Sequence, residues 1–217
     1  MKIKGLNEEN IKKISSLKKE DQKTLEYRLN CYKLFKEIPL PKFGPTIDLN
    51  FDEINYYQTS DDNITNDWNK VSCPVKDEFN SLGVISSEEY MDGIGVQYQS
   101  EVIYHNMIQE LLDKNVIFTS IEDAFTRHRD LIDKYFSKIV SPEENKFTAL
   151  NGAVFSGGSF IYIPKNTKLD RPLQSYFRIS SKDLGQFERT LIIVDDNSSL
   201  HYIEGCTAKS YSTSNLH

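Results

Sequence analysis

The chain has 217 residues, 38% of them hydrophobic and 27% charged, which is enough for one or two domains with a sizeable core. Its formal net charge of −6 argues against a nucleic-acid or anionic-membrane partner. No apolar run is long enough to span a bilayer, Met1-Lys2-Ile3-Lys4 does not open a signal peptide, and the widely spaced Cys31, Cys73 and Cys206 fit free thiols in a reducing compartment better than a disulfide scaffold.

Asn7-Glu8-Glu9 caps and charges the start of a helix whose inner face is Ile11, Ile14 and Leu17. A second helical pattern runs from about Lys19 to Lys36 with Leu25, Leu29, Tyr32 and Phe35 recurring at helical steps, and Pro39 and Pro41 end it. Cys31 on that helix reads as a buried small hydrophobe. Residues 47–74 form a polar surface arm pinned by Tyr56, Tyr57 and Trp68, with Cys73 unassigned beside Pro74. Asp77 to Leu82 suits a short helix stopped by Gly83, and Ser86 with Glu89 has the spacing of a capping box. Asp92-Gly93-Ile94-Gly95 reads as a turn. Val102, Ile103, Met107, Leu111 and Leu112 then read as the inner stripe of a helix closing near Asn115, with His105 in a structural hydrogen-bonding role. Val116-Ile117-Phe118 is a short strand. Ser120 and Asp123 cap a further helix through Phe136, with Ala124, Leu131, Ile132 and Phe136 inward and Arg127-His128-Arg129 on its solvated face.

Near Lys146 the pattern changes, and a domain boundary is expected there. From Phe147 to Ala208 short runs rich in Phe, Tyr, Ile, Leu and Val alternate with Ser-Gly-Gly-Ser, Ile-Pro-Lys and Asp-Asp-Asn-Ser-Ser, so strands and turns are expected throughout. Phe160, Tyr162, Phe177, Ile179, Leu191, Ile193, Leu200 and Tyr202 each fall on a predicted strand, and Leu191 to Val194 is apolar enough to be covered on both faces. No Asn-Gly or Asp-Gly turn links these runs, so stacked parallel rungs are at least as good a reading as a meander. Ser156-Gly157-Gly158-Ser159 lacks the Lys-Ser/Thr of a phosphate loop and reads as a tight turn.

Cys206 ends a predicted strand beside Gly205, which permits a bulge or a close backbone approach. Read alone, a single cysteine is more often a buried hydrophobe than a reactive group. Strand alternation places Glu204 and Cys206 on one face and His201 on the other. Arg178 is expected to pair with Glu188 or another carboxylate.

The blocks FTALNGAVFSGGSFIYIPK, PLQSYFRI, GQFERTLIIVD, HYIEGCTA and YSTSNLH, preceded by LEYRLNCYKLF, PLPKFGP, FDEINYYQ and VQYQSEVIYHN, closely resemble the SufB scaffold subunits (SufB/SufD family) of the SUF iron–sulfur cluster assembly system. The resemblance implies an α+β chain. A mostly helical or mixed region, residues 1–146, would precede the first rungs of a right-handed parallel β-helix at 147–217, incomplete at the C-terminus because the family continues beyond this point. It implies that Cys206 accepts sulfur, takes part in cluster assembly and is a candidate iron ligand, with Glu204, Arg178 and His201 in support. Ser180 stands where the family usually has Asn, Asn166-Thr167 replaces a Gly-Val pair and Lys209 replaces Pro.

The function implied is that of a non-enzymatic scaffold that takes persulfide sulfur and builds a transient iron–sulfur cluster for transfer to apo-proteins. A reduced flavin is a further cofactor of the assembled complex that the resemblance allows. Implied partners are a SufC-type ATPase that supplies ATP hydrolysis, a SufD-type paralogous subunit, SufE/SufS-type sulfur donors and SufA-type cluster carriers, with no nucleic acid and no membrane. The alternatives are a SufD-like structural subunit and a β-helix carbohydrate-active enzyme, for which Asp195-Asp196 is the only near acid pair. The abundance of Lys over Arg and of Asn, Ile and Tyr suggests an AT-rich coding sequence, so a plastid (apicoplast or chloroplast) stroma is expected alongside the bacterial cytoplasm.

Overall fold

In the computed structural model, which describes residues 1–42, 44, 49–60, 63–83 and 90–209, helix α1 (Glu8–Leu17) starts where Asn7 accepts a hydrogen bond from the Asn10 amide at 2.9 Å. Glu8 and Glu9 offset the helix dipole in its first turn, and Ile11 and Ile14 are fully buried. Leu17 is 40% exposed, so the apolar stripe stops a turn earlier than expected. Helix α2 (Gln22–Glu37) is capped by Asp21 and buries Thr24, Arg28, Cys31 and Phe35. That stripe lies one residue away from the predicted Leu25, Leu29 and Tyr32, which are only partly covered or packed at its margin. The reason is the partner helix, α7 (Lys146–Val154), which packs on α2 with Gly152 against Cys31 and the Ala153 carbonyl on Arg28. A Cβ on Gly152 would lie 2.6 Å from Cys31 Sγ, so no side chain fits there unless Cys31 shifts.

Helix α7 occupies the first part of the stretch expected to be strand and turn. Asn145 caps it in a reciprocal capping box with Thr148. Its Ala149, Leu150, Gly152, Ala153 and Val154 are all buried, and a helix covered on nearly all sides loses the one-sided periodicity that marks a helix in sequence.

Arg28 ties helix α2 to the end of α7. It is 0% exposed, grips both carboxylate oxygens of Glu20 at 2.6 and 2.5 Å, and donates to the carbonyls of Ala153 (3.2 Å) and Phe155 (2.8 Å). Its guanidinium carbon also lies 3.9 Å from the centre of the Phe155 ring.

Strands β1 (Lys2–Lys4) and β2 (Asn55–Gln58) pair antiparallel, and Tyr56 and Tyr57 are buried beneath them. Trp68 packs edge-on against Phe79 and Tyr104, so the polar arm is held by its aromatic residues as expected. Helix α3 (Cys73–Ser81) begins earlier than predicted, with Pro74 in its first turn, and ends before Gly83 at φ +73°. The Ser86–Glu89 capping box, Phe43 and Pro45 of PLPKFGP, and YSTSNLH lie outside the described residues.

A four-stranded mixed sheet has the order β4 (Glu101–Met107), β3 (Gly93–Tyr98), β7 (Leu173–Ile179), β9 (Tyr202–Ala208). A three-stranded sheet has the order β5 (Ile117–Ser120), β6 (Ser159–Ile163), β8 (Leu191–Val194). Two expectations are corrected here. The predicted turn at Asp92–Gly95 leads into strand β3, where a Cβ on Gly93 would meet the Phe118 ring at 2.9 Å. The predicted helix from Val102 is strand β4 and then the short helix α4 (Gln109–Asp113). A register shift between Val96 and Gln97 breaks the strand alternation there, and the chance four-residue spacing of Ile103, Met107 and Leu111 mimics a helix. His105 therefore lies on a strand. It packs edge-on against Phe118, its Nε2 is buried without a partner, and burial pushes its pKa down to about 4.

Ser120 caps α5 (Ile121–Arg127) as expected, but the helix breaks at His128 and resumes as α6 (Arg129–Tyr135). His128 stacks on Phe160, and Arg129 bonds Asp21 and Asp133, so this segment is a docking contact more than a solvated face. Strand β8 is less covered than expected. Ile192 and Val194 are 40% and 44% exposed, because only the other face of β8 meets the core. Leu200 precedes β9 and packs against the core from outside a strand.

From β6 onward the chain alternates between the two sheets, β6 and β8 pairing parallel in one and β7 and β9 in the other. The connections stack as well: Lys165 bonds Asp196, Asn166 bonds Asn197 and Thr167 bonds Ser198, each across 31 residues. Gly157 and Gly158 adopt φ +73° and +103° before β6, a conformation that side chains disfavour.

Replacing Arg28 by Ala leaves Glu20 and two buried carbonyls without their donor, and is expected to lower stability by about 3–5 kcal/mol. Equilibrium denaturant unfolding checks this, and a loss below about 1 kcal/mol would contradict the role given to the pair.

Candidate functional site

The parallel ladder between β7 and β9 decides which way Cys206 faces. Residues aligned across a parallel pair point to the same side of the sheet. Leu173, Ser175, Phe177 and Ile179 are the buried face of β7, and they align with Tyr202, Glu204, Cys206 and Ala208 of β9. Glu204 and Cys206 thus stand on the inward face, one strand beyond buried Ser175 and Phe177. They are open to solvent because β9 is the last strand of this sheet among the described residues. The expected common face of Glu204 and Cys206 is present.

The ladder runs without a shift from Tyr202 to Ala208, so Gly205 forms no bulge. It provides a close approach: a Cβ there would sit 2.6 Å from the Tyr176 ring on the outer face. That outer face is covered by α3, through Phe79 against Tyr176 and Glu78 against Arg178.

A third group completes the site. Glu188, in the segment before β8, brings a carboxylate oxygen to within 4.8 Å of ligand atoms on both Glu204 and Cys206. Its backbone is fixed from two sides. The Glu188 carbonyl accepts from Asn151 Nδ2 at 3.2 Å, and the neighbouring Arg189 bonds Asn151 Oδ1 and Ser137 Oγ, both at 2.8 Å. Glu188 Oε2 is buried and has no hydrogen-bond partner. Burial, reinforced by the charge of Glu204, pushes the Glu188 carboxyl up to about 7. Glu204 accepts from Tyr202 OH at 3.0 Å, and burial moves that phenol up to about 12.

Partial burial, and after it the charges of Glu188 and Glu204, pushes the Cys206 thiol up to about 11. The bare site therefore holds a neutral thiol between two carboxylates, whereas attack on sulfur or binding of iron needs the thiolate. A positive charge brought beside the thiol would add an attraction for the thiolate that opposes the repulsion from the two carboxylates.

The other expected residues lie elsewhere. Arg178 pairs with Glu78 at 3.1 Å, not with Glu188, and Glu78 also bonds Ser180 and Lys209 (2.5 Å). This cluster fastens α3 to the outer face and does not reach Cys206. His201 precedes β9, is exposed, and gives its carbonyl to the Leu173 amide at 3.0 Å; it is absent from the three-residue cluster. Cys31 is buried, as expected, and burial raises its thiol to about 11, while Cys73 is exposed at the start of α3. Asp195 bonds Tyr162 OH at 3.2 Å and Asp196 bonds Lys165 at 3.1 Å, so both belong to a stacked turn. In the sequence Glu188 stands out only as a partner for Arg178. Its proximity to Cys206 comes from the folding back of the chain, and no local spacing marks it.

A family model described as "SufBD protein N-terminal region" matches residues 55–175. A curated iron-sulfur cluster assembly SufBD family protein of Staphylococcus aureus is 49% identical over 216 residues, covering 99% of this chain and 46% of that protein. One from Staphylococcus saprophyticus is also 49% identical over 216 residues, with the same coverage. The chain thus spans about half the length of the curated relatives it matches.

The environment of Cys206 makes a kinetic prediction. Its alkylation by iodoacetamide, read by peptide mass spectrometry, is expected to rise with pH toward a midpoint near 11, because burial and two carboxylates disfavour the thiolate. Glu188→Gln removes one of those carboxylates and is expected to lower the midpoint. A wild-type midpoint at or below the ordinary 9.0 would contradict this reading of the site.

Proposed function

This chain belongs to the SufBD family of iron–sulfur cluster assembly proteins, and from that premise we propose that it is the N-terminal part of a SufB-type scaffold, not an enzyme. The observation that carries the reading is a thiol held on the inward face of β9 between two carboxylates. Sulfur is the cargo. The Cys206 thiol, deprotonated when a donor docks, attacks the outer sulfur of a protein persulfide. A new sulfur–sulfur bond forms on Cys206 as the donor's bond breaks, and the donor leaves as a thiol carrying the proton that Cys206 released. No electron is gained or lost overall. The cluster built from this sulfur and from iron is likewise cargo, and clusters are held by several ligands, so the remaining ligands come from outside these residues.

Within this reading residues 147–217 begin a right-handed parallel β-helix, and residues 1–146 are the N-terminal region, whose β3 and β5 pair with β7 and β6. The alternating parallel pairs and the 31-residue stacking of the connections support a coil. Glu204 stands beside Cys206 on the inward face and holds its thiol protonated until a donor docks. Arg178 acts by fastening α3 across the outer face, and His201 remains a candidate only for a docked donor or partner to recruit.

The proposed partners are a SufC-type ATPase, which performs the ATP hydrolysis, a SufD-type subunit, SufE/SufS-type donors and SufA-type carriers, with a reduced flavin as an optional cofactor of the complex. A SufD-type structural role is the alternative, and a solvent-open thiol on the inward face of β9 favours the scaffold. Among the described residues no helix is long and apolar enough to cross a membrane. The named relatives are staphylococcal, which favours the bacterial cytoplasm and leaves the plastid expectation without support.

In the complete polypeptide, Cys206→Ala is expected to reduce cluster yield at least tenfold in anaerobic reconstitution with a persulfide donor and ferrous iron, with the unfolding midpoint unchanged. Cys73→Ala is expected to retain the yield. Full cluster formation by Cys206→Ala would overturn the scaffold role of this thiol and favour the structural alternative.

A further inference from the structure

The registers of the four-stranded sheet place His105, Gly95, Ser175 and Glu204 in one row across β4, β3, β7 and β9. Residues aligned in this way share a face, so the row lies on the inward side of the sheet. It runs beside the apolar Phe118, Ile161 and Leu173, and it is interrupted at Gly95. A cavity of about 10 Å3 opens at the interruption, with Gly95, His105, Ser120, Ser159 and Ser175 in its wall. That is room for one water molecule. A Cβ on Gly95 would lie 3.5 Å from Ser175 Oγ and 3.6 Å from His105 Cδ2, the ring carbon next to Nε2.

The hydroxyl protons along the row have one consistent direction. Tyr202 OH gives its single proton to Glu204 Oε2 at 3.0 Å, so in its 3.4 Å contact with Ser159 Oγ the serine is the donor. Ser159 Oγ then accepts from Ser175 Oγ, 2.6 Å away, which leaves Ser175 Oγ as an acceptor beside the gap. On the other side His105 Nε2 is buried without a partner, and with the ring pKa pushed down to about 4 by burial the imidazole is neutral at pH 7. Ser120 Oγ accepts from the Asp123 amide at 3.1 Å and has a proton to give.

We propose that the gap beside Gly95 is a binding site for a single internal water, which donates to Ser175 Oγ and His105 Nε2 and accepts from Ser120 Oγ. Three partners are the usual complement of a buried water. The water completes a one-way chain through Ser175, Ser159 and Tyr202 in which every hydroxyl donates toward the Glu204 carboxylate. Bonds aligned head to tail in a low-dielectric interior strengthen one another, so Glu204 is held from within the coil. The site does not depend on sulfur reaching Cys206, and it stands or falls apart from the scaffold reading.

The test is a crystal structure of the complete polypeptide at a resolution that shows ordered water, with the state of His105 read by 15N NMR after selective histidine labelling. The expected result is one water within about 3.2 Å of both His105 Nε2 and Ser175 Oγ, and a neutral ring protonated on Nδ1. Gly95→Ala separates a hydrated gap from a dry one, because its Cβ makes only ordinary contacts and the fold accepts it. In a dry gap the methyl fills space and restricts the unfolded chain, so the denaturant midpoint rises. In a hydrated gap the methyl expels the water and strips Nε2 and Ser175 Oγ of their partner. The midpoint is therefore expected to fall, and the His105 Nε2 resonance to move to that of an unbonded nitrogen. Should the variant misfold, the wild-type structure and spectrum still decide. An empty gap, a protonated Nε2 bonded directly to a side chain, or a midpoint raised by Gly95→Ala overturns the proposal.

Discussion

The parallel pairing of β9 on β7 is the constraint on which the site depends. Strand side chains alternate, so a slip of one residue would turn Glu204 and Cys206 from the inward face to the outer one, toward the side covered by α3. Two features hold the register. Inward, Tyr202 and Ala208 continue the columns begun by Leu173 and Ile179, and outward, Gly205 leaves to the Tyr176 ring the space that a side chain there would fill. A bulge at Gly205 would have loosened this arrangement, and the unbroken ladder does the opposite.

The helical layer serves the same end at a distance. Arg28 joins α2 to the last carbonyls of α7, and Asn151 on α7 then holds the backbone of Glu188 and the side chain of Arg189. The placement of Glu188 opposite Cys206 is therefore a tertiary result, assembled from a helix, a corner and a strand. Its chemistry is also collective. Neither carboxylate activates the thiol in the bare site, and both hold it protonated. The arrangement keeps the thiol protonated in the absence of a donor, which is compatible with the proposed scaffold role.

Much of this is legible locally. The Asn7 cap, the burial of Cys31, the Val116 strand, the Ser120 cap and the shared face of Glu204 and Cys206 all derive from short-range rules, and the structure contains them. What short-range rules miss, they miss for physical reasons. Helix α7 is buried on most sides and shows no stripe; β4 carries a register shift that hides its alternation; Arg28 is enclosed by Glu20 and two carbonyls that no pattern on its own helix announces. Arg178 is expected to meet a carboxylate and does, but Glu78 on α3 reaches it first, leaving Glu188 for the thiol. No spacing rule links Glu188 to Cys206, since their approach depends on how the segment before β8 is placed against β9.

The central claim is that transferred sulfur arrives at Cys206. The most direct measurement is to expose the complete wild-type polypeptide to a persulfide donor for a single turnover, then locate the added sulfur atom by tandem mass spectrometry under conditions that preserve persulfides. The account predicts the adduct on the peptide containing Cys206, with Cys31 unmodified inside the α2–α7 contact. Sulfur found first on Cys73, or on a cysteine beyond these residues with Cys206 left as a bare thiol, would contradict it.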